Sequence, residues 1–278
     1  MPNIFDQAEK ELNNFIQKDI LSYSKNRNYD YGPERRSNVS VLSKYISHRV
    51  INEYDVIGSA LSSYPLSKIE KYIQEVFWRI YWKGWLEHRP MVWSDYLSYT
   101  YSDNNNTDYN NAIEGNTGIA CFDSWVAELK DKNYLHNHTR MWFASIWIFT
   151  LNLPWQLGAN FFMRHLFDGD SASNTLSWRW VAGLQTVGKH YLATSSNISK
   201  YTNNKFEPKN LNEDASPLID NKIYNAQDIN YTNTEQSSDL LIMFDNDLSL
   251  KDSENLLGKY KYIYFCLLYT SDAADESV

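Results

Sequence analysis

Hydrophobic side chains recur every three or four positions along most of the first 206 residues of this chain. In residues 4–23 this spacing puts Phe5, Leu12 and Ile16 on one face of a helix, with polar side chains on the other. The pattern therefore predicts an amphipathic helix over residues 4–23, whose apolar face packs against a core.

The same spacing predicts further helices along the chain. An apolar-periodic segment covers residues 41–51, and Asp55 and Ser67 are expected to be helix N-caps. A long amphipathic stretch then ends at Pro90, and an Asn- and Asp-rich loop is predicted at 99–116. Beyond this loop, four more helical patterns cover residues 118–132, 137–151, 155–167 and 171–185.

The chain is expected to consist of one helical domain followed by shorter segments. Strand-like alternation is nearly absent before Lys205, so residues 1–206 are predicted to form an all-α, multi-helical domain. Residues 207–237 are polar and predict an acidic linker. Residues 238–265 predict a strand, a helix and a strand, which is an incomplete α/β unit. The tail, 266–278, contains CLLYTSDAADE, which resembles a translated sequencing adapter and is expected to be non-native.

The composition shows, in addition, that aromatic side chains are abundant. A length of 278 residues suits one large or two small domains, and 43% hydrophobic with 22% charged residues is typical of a globular protein. The chain has 10 Trp, 21 Tyr and 12 Phe, which indicates a large core with stacking surfaces.

Negative charge is concentrated toward the C-terminus. Residues 1–206 have 21 Lys and Arg against 20 Asp and Glu, a net of +1, whereas residues 207–278 have 5 against 14, a net of −9. The helical body is therefore nearly neutral, which permits DNA binding without arguing for it.

The sequence predicts no membrane span, disulfide framework or metal cluster. No apolar run approaches the length of a bilayer span, and the start, MPNIFDQAEKELNNF, is too polar for a signal peptide. The two cysteines, Cys121 and Cys266, give no framework. We therefore expect a cytoplasmic protein with no membrane partner and no bound metal.

The stretch DGDSASNTLSWRW, residues 168–180, combines two acids, an amide and two indoles. Asp168 and Asp170 have the spacing of a cation site, but a helix N-cap before Ser171 is an equally simple interpretation. Arg140 lies in an apolar helix, where an unpaired guanidinium would be costly. An Arg140–Asp168 ion pair is therefore the preferred structural prediction.

The remaining candidates each have a structural alternative. His136 and His138, two residues apart, would point to different faces of a helix, which disfavours a zinc site. Trp178 and Trp180 cannot share one helical face either, so one of them must face something other than that core. The nearby Trp142, Trp147 and Trp155 could form an indole chain that relays electrons, or simply a packed core. The sequence has no phosphate loop, nucleophile elbow or cysteine nucleophile, which leaves a helical ligand-binding domain with an aromatic pocket.

Several motifs in order resemble the FAD-binding domain of the photolyase/cryptochrome family. They are TGIACFD, HNHTRM and DGDSASNTLSWRW, preceded by RRSNVSVLSKYISHRVI and YIQEVFWRIYW. The resemblance covers roughly residues 10–206. The family's α/β antenna domain normally comes first, whereas here only LLIMFDNDLSLKDSENL, residues 240–256, resembles its opening strand and loop.

The resemblance implies a set of site residues. Those that would hold FAD are Tyr23, Ser37, Val39, Ser40, Arg140, Asp168, Asp170 and Asn174, with Asn174 at flavin N5. Those that would transfer electrons are Asn174, Trp178 and Trp155. Counting places the third member of the electron-transfer chain near Tyr99, with Trp142 or Trp147 as alternatives. Those that would line the pocket for a flipped pyrimidine dimer are Glu75, Trp78 and Trp180.

The function implied by the resemblance is blue-light-driven repair of pyrimidine dimers in DNA, with FAD as cofactor. The alternatives are a cryptochrome-like photoreceptor that uses the same FAD, and a flavoprotein without a light function. A second, antenna chromophore is not expected.

Overall fold

A computed structural model describes residues 3–99, 107–229, 239–249 and 260–266. The described residues form a helical body and one small sheet, and the predicted all-α architecture of the body is confirmed. The helices are α1 Ile4–Lys18, α2 Ile20–Asn26, α3 Ser43–Ser47, α4 Glu53–Ser63, α5 Leu66–Glu87, α6 Pro90–Leu97, α7 Thr107–Glu114, α8 Ala120–Lys132, α9 Asn137–Ser145, α10 Trp155–His165, α11 Ser171–Ala182 and α12 Ser195–Tyr201. A π-helical turn, Ile146–Thr150, continues α9, and the strands are β1 Leu240–Phe244 and β2 Tyr262–Cys266.

Two predicted N-caps are wrong. Asn52 caps α4, because its side chain accepts a hydrogen bond from the Asp55 backbone N–H at 2.9 Å. The Asp55 carboxylate in turn accepts from the Asn52 N–H at 3.3 Å, so Asp55 is the third helical residue of a capping box. The helix α5 begins at Leu66, which leaves Ser67 inside its first turn.

The remaining differences concern breaks and short helices. The predicted helix over residues 4–23 divides at Asp19 into α1 and α2. Pro90 follows the end of α5, as predicted, but it also begins α6, where its missing N–H needs no helical partner. Helix α7 lies within the predicted loop at 99–116, and α12 lies beyond the last predicted helix.

The helices enclose two main hydrophobic cores. We call the first the aliphatic core; it lies among α1–α5 and is filled mostly by side chains such as Leu12, Ile16 and Ile73. We call the second the aromatic core; it is centred on α8–α11, where the fully buried side chains include Trp125 and Trp142. Among the described helices, none combines the length and apolar character needed to cross a bilayer.

The segment after residue 206 lies against the helical body. The Leu218 N–H donates to the Ala182 carbonyl at 2.9 Å, and the Gln227 N–H donates to that of His88 at 2.8 Å. Farther along, β1 and β2 pair in parallel, with Leu240 opposite Tyr262. The helix predicted between these strands falls on residues 250–259, which lie outside the described residues, as do residues 267–278 of the tail.

Candidate functional site

A cavity of about 660 Å³ opens between α5 and α11. Its wall combines α2, the loop 39–43, α5, α9 and α11, so both cores contribute to it. Ligand pockets in proteins commonly have volumes of about 300–1,000 Å³, so this cavity has room for a cofactor. Of the residues predicted for the site, the wall contains Tyr23, Val39, Ser40, Glu75, Trp78, Arg140, Asp168, Asn174, Trp178 and Trp180.

The predicted ion pair between Arg140 and Asp168 is confirmed at 2.9 Å. The Arg140 Nε donates to the Leu135 carbonyl, which fixes the guanidinium, and Asp168 is buried. Burial raises the pKa of Asp168, but the Arg140 charge and its hydrogen bond outweigh this effect and lower the pKa below its usual value. The pair therefore presents an ionised carboxylate and a guanidinium at the cavity wall.

Asn174 lies on the buried face of α11 and faces the cavity. Its amide nitrogen donates to the Ala159 carbonyl at 2.8 Å, which fixes the amide plane and leaves the side-chain oxygen to accept a ligand N–H. Asp170 does not reach the wall. Its carboxylate accepts from the Ser173 N–H at 2.7 Å, so it is the N-cap of α11.

The loop with Ser37, Val39 and Ser40, which were predicted to hold FAD, reaches the cavity only in part. Val39 and Ser40 lie on the wall together with Ser43, whereas Ser37 is exposed and lies off the wall. Tyr23 of α2 lies opposite, and burial raises its pKa, so its hydroxyl stays protonated as a hydrogen-bond donor.

Aromatic rings of α5 stand on the outer part of the wall. Trp78 is 47% exposed, and its ring stacks on Trp82 with centroids 5.4 Å apart. Beside it, Glu75 pairs with Arg27 at 2.9 Å and with Lys71 at 3.4 Å. Trp180 stacks on Tyr191 at 5.9 Å. Trp78 and Trp82 thus expose aromatic surface on which a flat ring can stack.

The two tryptophans predicted for electron transfer have different surroundings. Trp178 is buried on the cavity wall and touches Trp147, with ring centroids 6.2 Å apart. Trp155 does not line the cavity; its ring stacks on Tyr96 at 5.8 Å. The prediction of a third electron-transfer member near Tyr99 stays a prediction, and the ring that stacks on Trp155 is that of Tyr96, on α6.

The histidine pair has a structural role. The His136 Nδ1 accepts from the His138 N–H at 3.2 Å and so caps α9. The His138 ring contacts the Asn28 carbonyl and the Tyr191 hydroxyl. Within the described ranges, no group of three or more His, Cys, Asp or Glu side chains could hold a metal ion.

Some wall residues were missed at the level of sequence. Ser173 and Gln185 lie on the wall, and each has a buried side-chain oxygen without a hydrogen-bond partner in the described part of the chain. Ser173 lies within the motif DGDSASNTLSWRW but was not singled out there, and Gln185 lies in the turn after α11, outside any motif. Trp82, four residues after Trp78 on α5, also lies on the wall, as the shared helical face of the two residues requires.

Comparisons with known proteins identify the family of this chain. Residues 72–210, half of the chain, match the family model described as the FAD binding domain of DNA photolyase. The chain belongs to this family. It is 30% identical over 184 residues to the deoxyribodipyrimidine photo-lyase of Buchnera aphidicola subsp. Baizongia pistaciae, covering 63% of this chain and 38% of the relative. It is 29% identical over 214 residues to the deoxyribodipyrimidine photo-lyase of Neurospora crassa, which covers 73% of this chain and 34% of the relative. The chain therefore spans little more than a third of these relatives.

Solved structures show the same fold. A class III photolyase from Agrobacterium tumefaciens superposes with a TM-score of 0.62 at 24% identity, over 72% of this chain and 42% of that one. A cryptochrome from Synechocystis superposes with a TM-score of 0.61 at 18% identity, over 71% of this chain and 43% of that one. The helical FAD-binding fold is thus shared by both kinds of protein.

FAD is the cofactor of this family, and the wall of the cavity fits it. Flavin rings carry hydrogen-bond donors and acceptors along one edge and are otherwise flat and apolar. The buried Ser173 Oγ, Trp178 Nε1 and Gln185 Oε1 have no partners among the described residues, and all three side chains line the cavity. Leaving buried polar atoms unpaired costs about 1–3 kcal/mol each, so a polar ligand in the cavity would stabilise this domain.

Proposed function

We propose that this FAD-binding domain serves light-driven electron transfer that repairs pyrimidine dimers in DNA. When bound, FAD supplies the photochemistry, and the protein positions and tunes it. The observation that carries the proposal is the arrangement of one cavity. Its wall combines Asn174 and the Arg140–Asp168 pair with the exposed ring of Trp78 and the partly buried ring of Trp82.

The cofactor-binding part of the proposal divides the work among the wall residues. Asn174 would accept a hydrogen bond from the flavin edge, because its amide nitrogen is already engaged with Ala159. Arg140 and Asp168 would supply a fixed positive and a fixed negative group beside the ring. Tyr23, Val39 and Ser40 would contact the phosphates or ribityl chain. Ser37 and Asp170, away from the wall, would contribute only indirectly.

The substrate-binding part of the proposal rests on Trp78. A base turned out of a DNA duplex loses its stacking, and stacking on an aromatic side chain offsets about 1–3 kcal/mol of that loss. Trp78 offers an exposed ring on the cavity wall, and Glu75 lies one helical turn before it. Trp180, on the facing helix, would bound the pocket from the other side.

The decisive experiment illuminates the reduced, FAD-loaded protein with an oligonucleotide that contains one pyrimidine dimer. Loss of the dimer supports repair. Normal photoreduction of FAD with no loss of dimer would replace repair by the photoreceptor function, and FAD binding without photoreduction would leave a light-independent flavoprotein. A cytoplasmic location and the absence of an antenna chromophore remain part of the proposal.

A matched pair of variants tests the substrate pocket. Trp78→Ala is expected to weaken binding of the dimer oligonucleotide by about 1–3 kcal/mol, while the FAD content is unchanged. Tyr54→Ala removes an exposed ring that lies outside the cavity and should leave binding unchanged. If the two variants bind the dimer oligonucleotide equally well, Trp78 does not belong to the substrate pocket.

A further inference from the structure

We propose that Trp178, Trp147 and Tyr109 form a route that supplies electrons to the cavity, with Tyr109 as its outer end. The inference rests on the proposed function, in which FAD in the cavity is photoreduced. It assigns to Trp147 the central position that the family resemblance gave to Trp155, and it names Tyr109 as the residue that communicates with solvent.

The three rings follow one another outward from the cavity. Trp178 lies on the wall, and its ring centroid is 6.2 Å from that of Trp147, with the planes at 86°. The Trp147 ring lies 6.1 Å from Tyr109, again at 86°. Trp178 and Trp147 are fully or almost fully buried, whereas Tyr109, on α7, is partly exposed. Rings packed edge to face at these centroid distances are in direct contact, so an electron crosses no intervening gap between them.

Gly158 makes the first contact possible. A Cβ at this position would lie 2.5 Å from Cζ3 of Trp178 and 3.0 Å from Cε2 of Trp147. The first distance is shorter than real Cβ contacts, and the second is tighter than most of them. The absence of a side chain on this turn of α10 therefore allows the two indoles to meet.

Electrostatics favour Trp147 over Trp155 as the next donor. The Arg179 guanidinium lies 5.9 Å from the centroid of the Trp155 ring, and a nearby positive charge opposes removal of an electron. Arg179 also pairs with Asp220 at 3.8 Å, which weakens this field, but Arg179 is the member that lies over the ring. The Trp147 Nε1, in contrast, donates to the Pro154 carbonyl at 2.9 Å, and this dipole stabilises positive charge on the indole.

Every electron and proton that moves along the route is accounted for at its outer end, Tyr109. With FAD bound in the cavity, Trp178 would donate one electron to it and recover one from Trp147, which would recover one from Tyr109. Oxidised Tyr109 then releases its phenolic proton to solvent, which the buried Trp147 has no means to reach. A one-electron reductant in solution, such as a thiol, restores Tyr109. The net result is one electron delivered to the cavity and one taken from the reductant.

Transient absorption of the FAD-loaded protein tests the route, with Trp147→Phe and Tyr109→Phe as the main variants. Phe is far harder to oxidise than Trp or Tyr. Trp147→Phe is expected to slow photoreduction at least about tenfold, equivalent to about 1.4 kcal/mol of activation free energy. Trp125→Phe, a buried change elsewhere in the aromatic core, should leave the rate unchanged. FAD content and thermal unfolding confirm that each variant is folded.

A second readout follows the radical itself. The wild type should show tyrosyl radical absorption and a radical-trap adduct on Tyr109, located by peptide mass spectrometry. Tyr109→Phe should lose both, and Tyr109→Trp should restore fast photoreduction. An unchanged rate in Trp147→Phe, with loss of photoreduction in Trp155→Phe, would overturn the route and leave the proposed function intact. A wild type that binds FAD but is not photoreduced would overturn both.

Discussion

The aliphatic core and the aromatic core differ in the side chains that fill them. Among α1–α5 the buried side chains are mostly Ile, Leu and Val, with Phe15, Tyr45 and Tyr72 as the aromatic members. Around α8–α11 the buried set includes five indoles, and four of these are among the largest fully buried side chains of the described chain. The indoles are Trp125, Trp142, Trp147, Trp155 and Trp178.

This difference separates what folding requires from what the cavity requires. Aliphatic side chains are sufficient to pack helices, as the aliphatic core shows, so folding alone does not require five indoles in one core. In the aromatic core the rings of Phe143, Trp147 and Trp178 meet at centroid distances of about 6 Å beside the cavity. Rigid rings hold a cavity wall in a fixed shape, and indoles can also be oxidised. The aromatic core therefore suits both the binding and the electron supply proposed above.

Charged and titratable side chains link the segments that form the two cores, and we call this group the polar seam. Asp168 joins them directly, because its backbone carbonyl accepts from Ser47 of α3 and its carboxylate accepts from Arg140 of α9. Arg36 pairs with both Asp30 and Glu128. The residues of the seam are Asp30, Arg36, Glu128, His136, Arg140 and Asp168. Each prediction below breaks the seam or one of the cores.

The largest effect is expected from Asp168→Asn, which breaks the ion pair at the centre of the seam. Removing one partner of a buried pair leaves the other charge uncompensated, and we expect a loss of about 3–4 kcal/mol of unfolding free energy. The value is at the lower end for buried pairs, because Arg140 retains 22% side-chain exposure. Urea unfolding measures it. Asp6→Asn, the same change at an exposed position, is the control, and equal losses in both variants would refute a structural role for the pair.

The pH dependence of stability is expected to contain two opposing contributions from the seam. Burial lowers the pKa of His136 to about 4, so stability from this group is lost as the pH falls from about 6.5 to about 4. Burial also raises the pKa of Glu128 to about 7, so its contribution is lost as the pH rises from about 4.5 to about 7. The facing charged and titratable groups are Asp30, Arg36, His138 and Arg140 for His136, and Asp30, Arg36 and Lys205 for Glu128.

Single variants separate these contributions between pH 4.5 and 6.5. In the wild type, the contributions of His136 and Glu128, each with a slope of about 1.4 kcal/mol per pH unit, oppose each other. His136→Asn keeps an oxygen to cap α9 and, relative to the wild type, should lose about 2–3 kcal/mol as the pH rises across this window. Glu128→Gln should lose a similar amount relative to the wild type as the pH falls. Parallel curves for all three proteins, measured by urea unfolding, would contradict the opposed titrations.

The helical architecture and much of the cavity wall could be predicted from the sequence, because both depend on local order. Hydrophobic spacing located α5 and α8–α11, and the cost of an unpaired buried guanidinium predicted the Arg140–Asp168 pair, which the structure confirms. The N-cap prediction was wrong where two residues could cap the same helix. Asn52 and Asp55 both suit a cap, and only the geometry of the turn decides that Asn52 begins the helix.

The parts that could not be predicted depend on how helices pack. The contact between Trp178 and Trp147 joins α11 to the π-helical turn after α9, and no motif spacing contains this pairing. The same holds for Gln185, which no motif contains and which reaches the wall from the turn that follows α11. Resemblance to a family transfers roles along the chain, but the neighbours of each ring follow from this chain's own packing.

The smallest expected effect compares Gly158, a buried glycine beside the aromatic core, with Gly58, an exposed glycine of α4. Gly158→Ala puts a methyl group against Trp178 and Trp147, and such overpacking costs about 1–3 kcal/mol and displaces the Trp178 ring. Gly58→Ala, inside α4 beside the aliphatic core, meets nothing within 4 Å and should stabilise the protein by up to about 1 kcal/mol, because Ala favours a helix. Urea unfolding gives the two signs, and near-ultraviolet circular dichroism reports the indole environment, which only Gly158→Ala should alter. If Gly158→Ala is stabilised and its indole signals are unchanged, the aromatic core has room for an additional methyl group. The close contact between Trp178 and Trp147 would then not be a requirement of the fold.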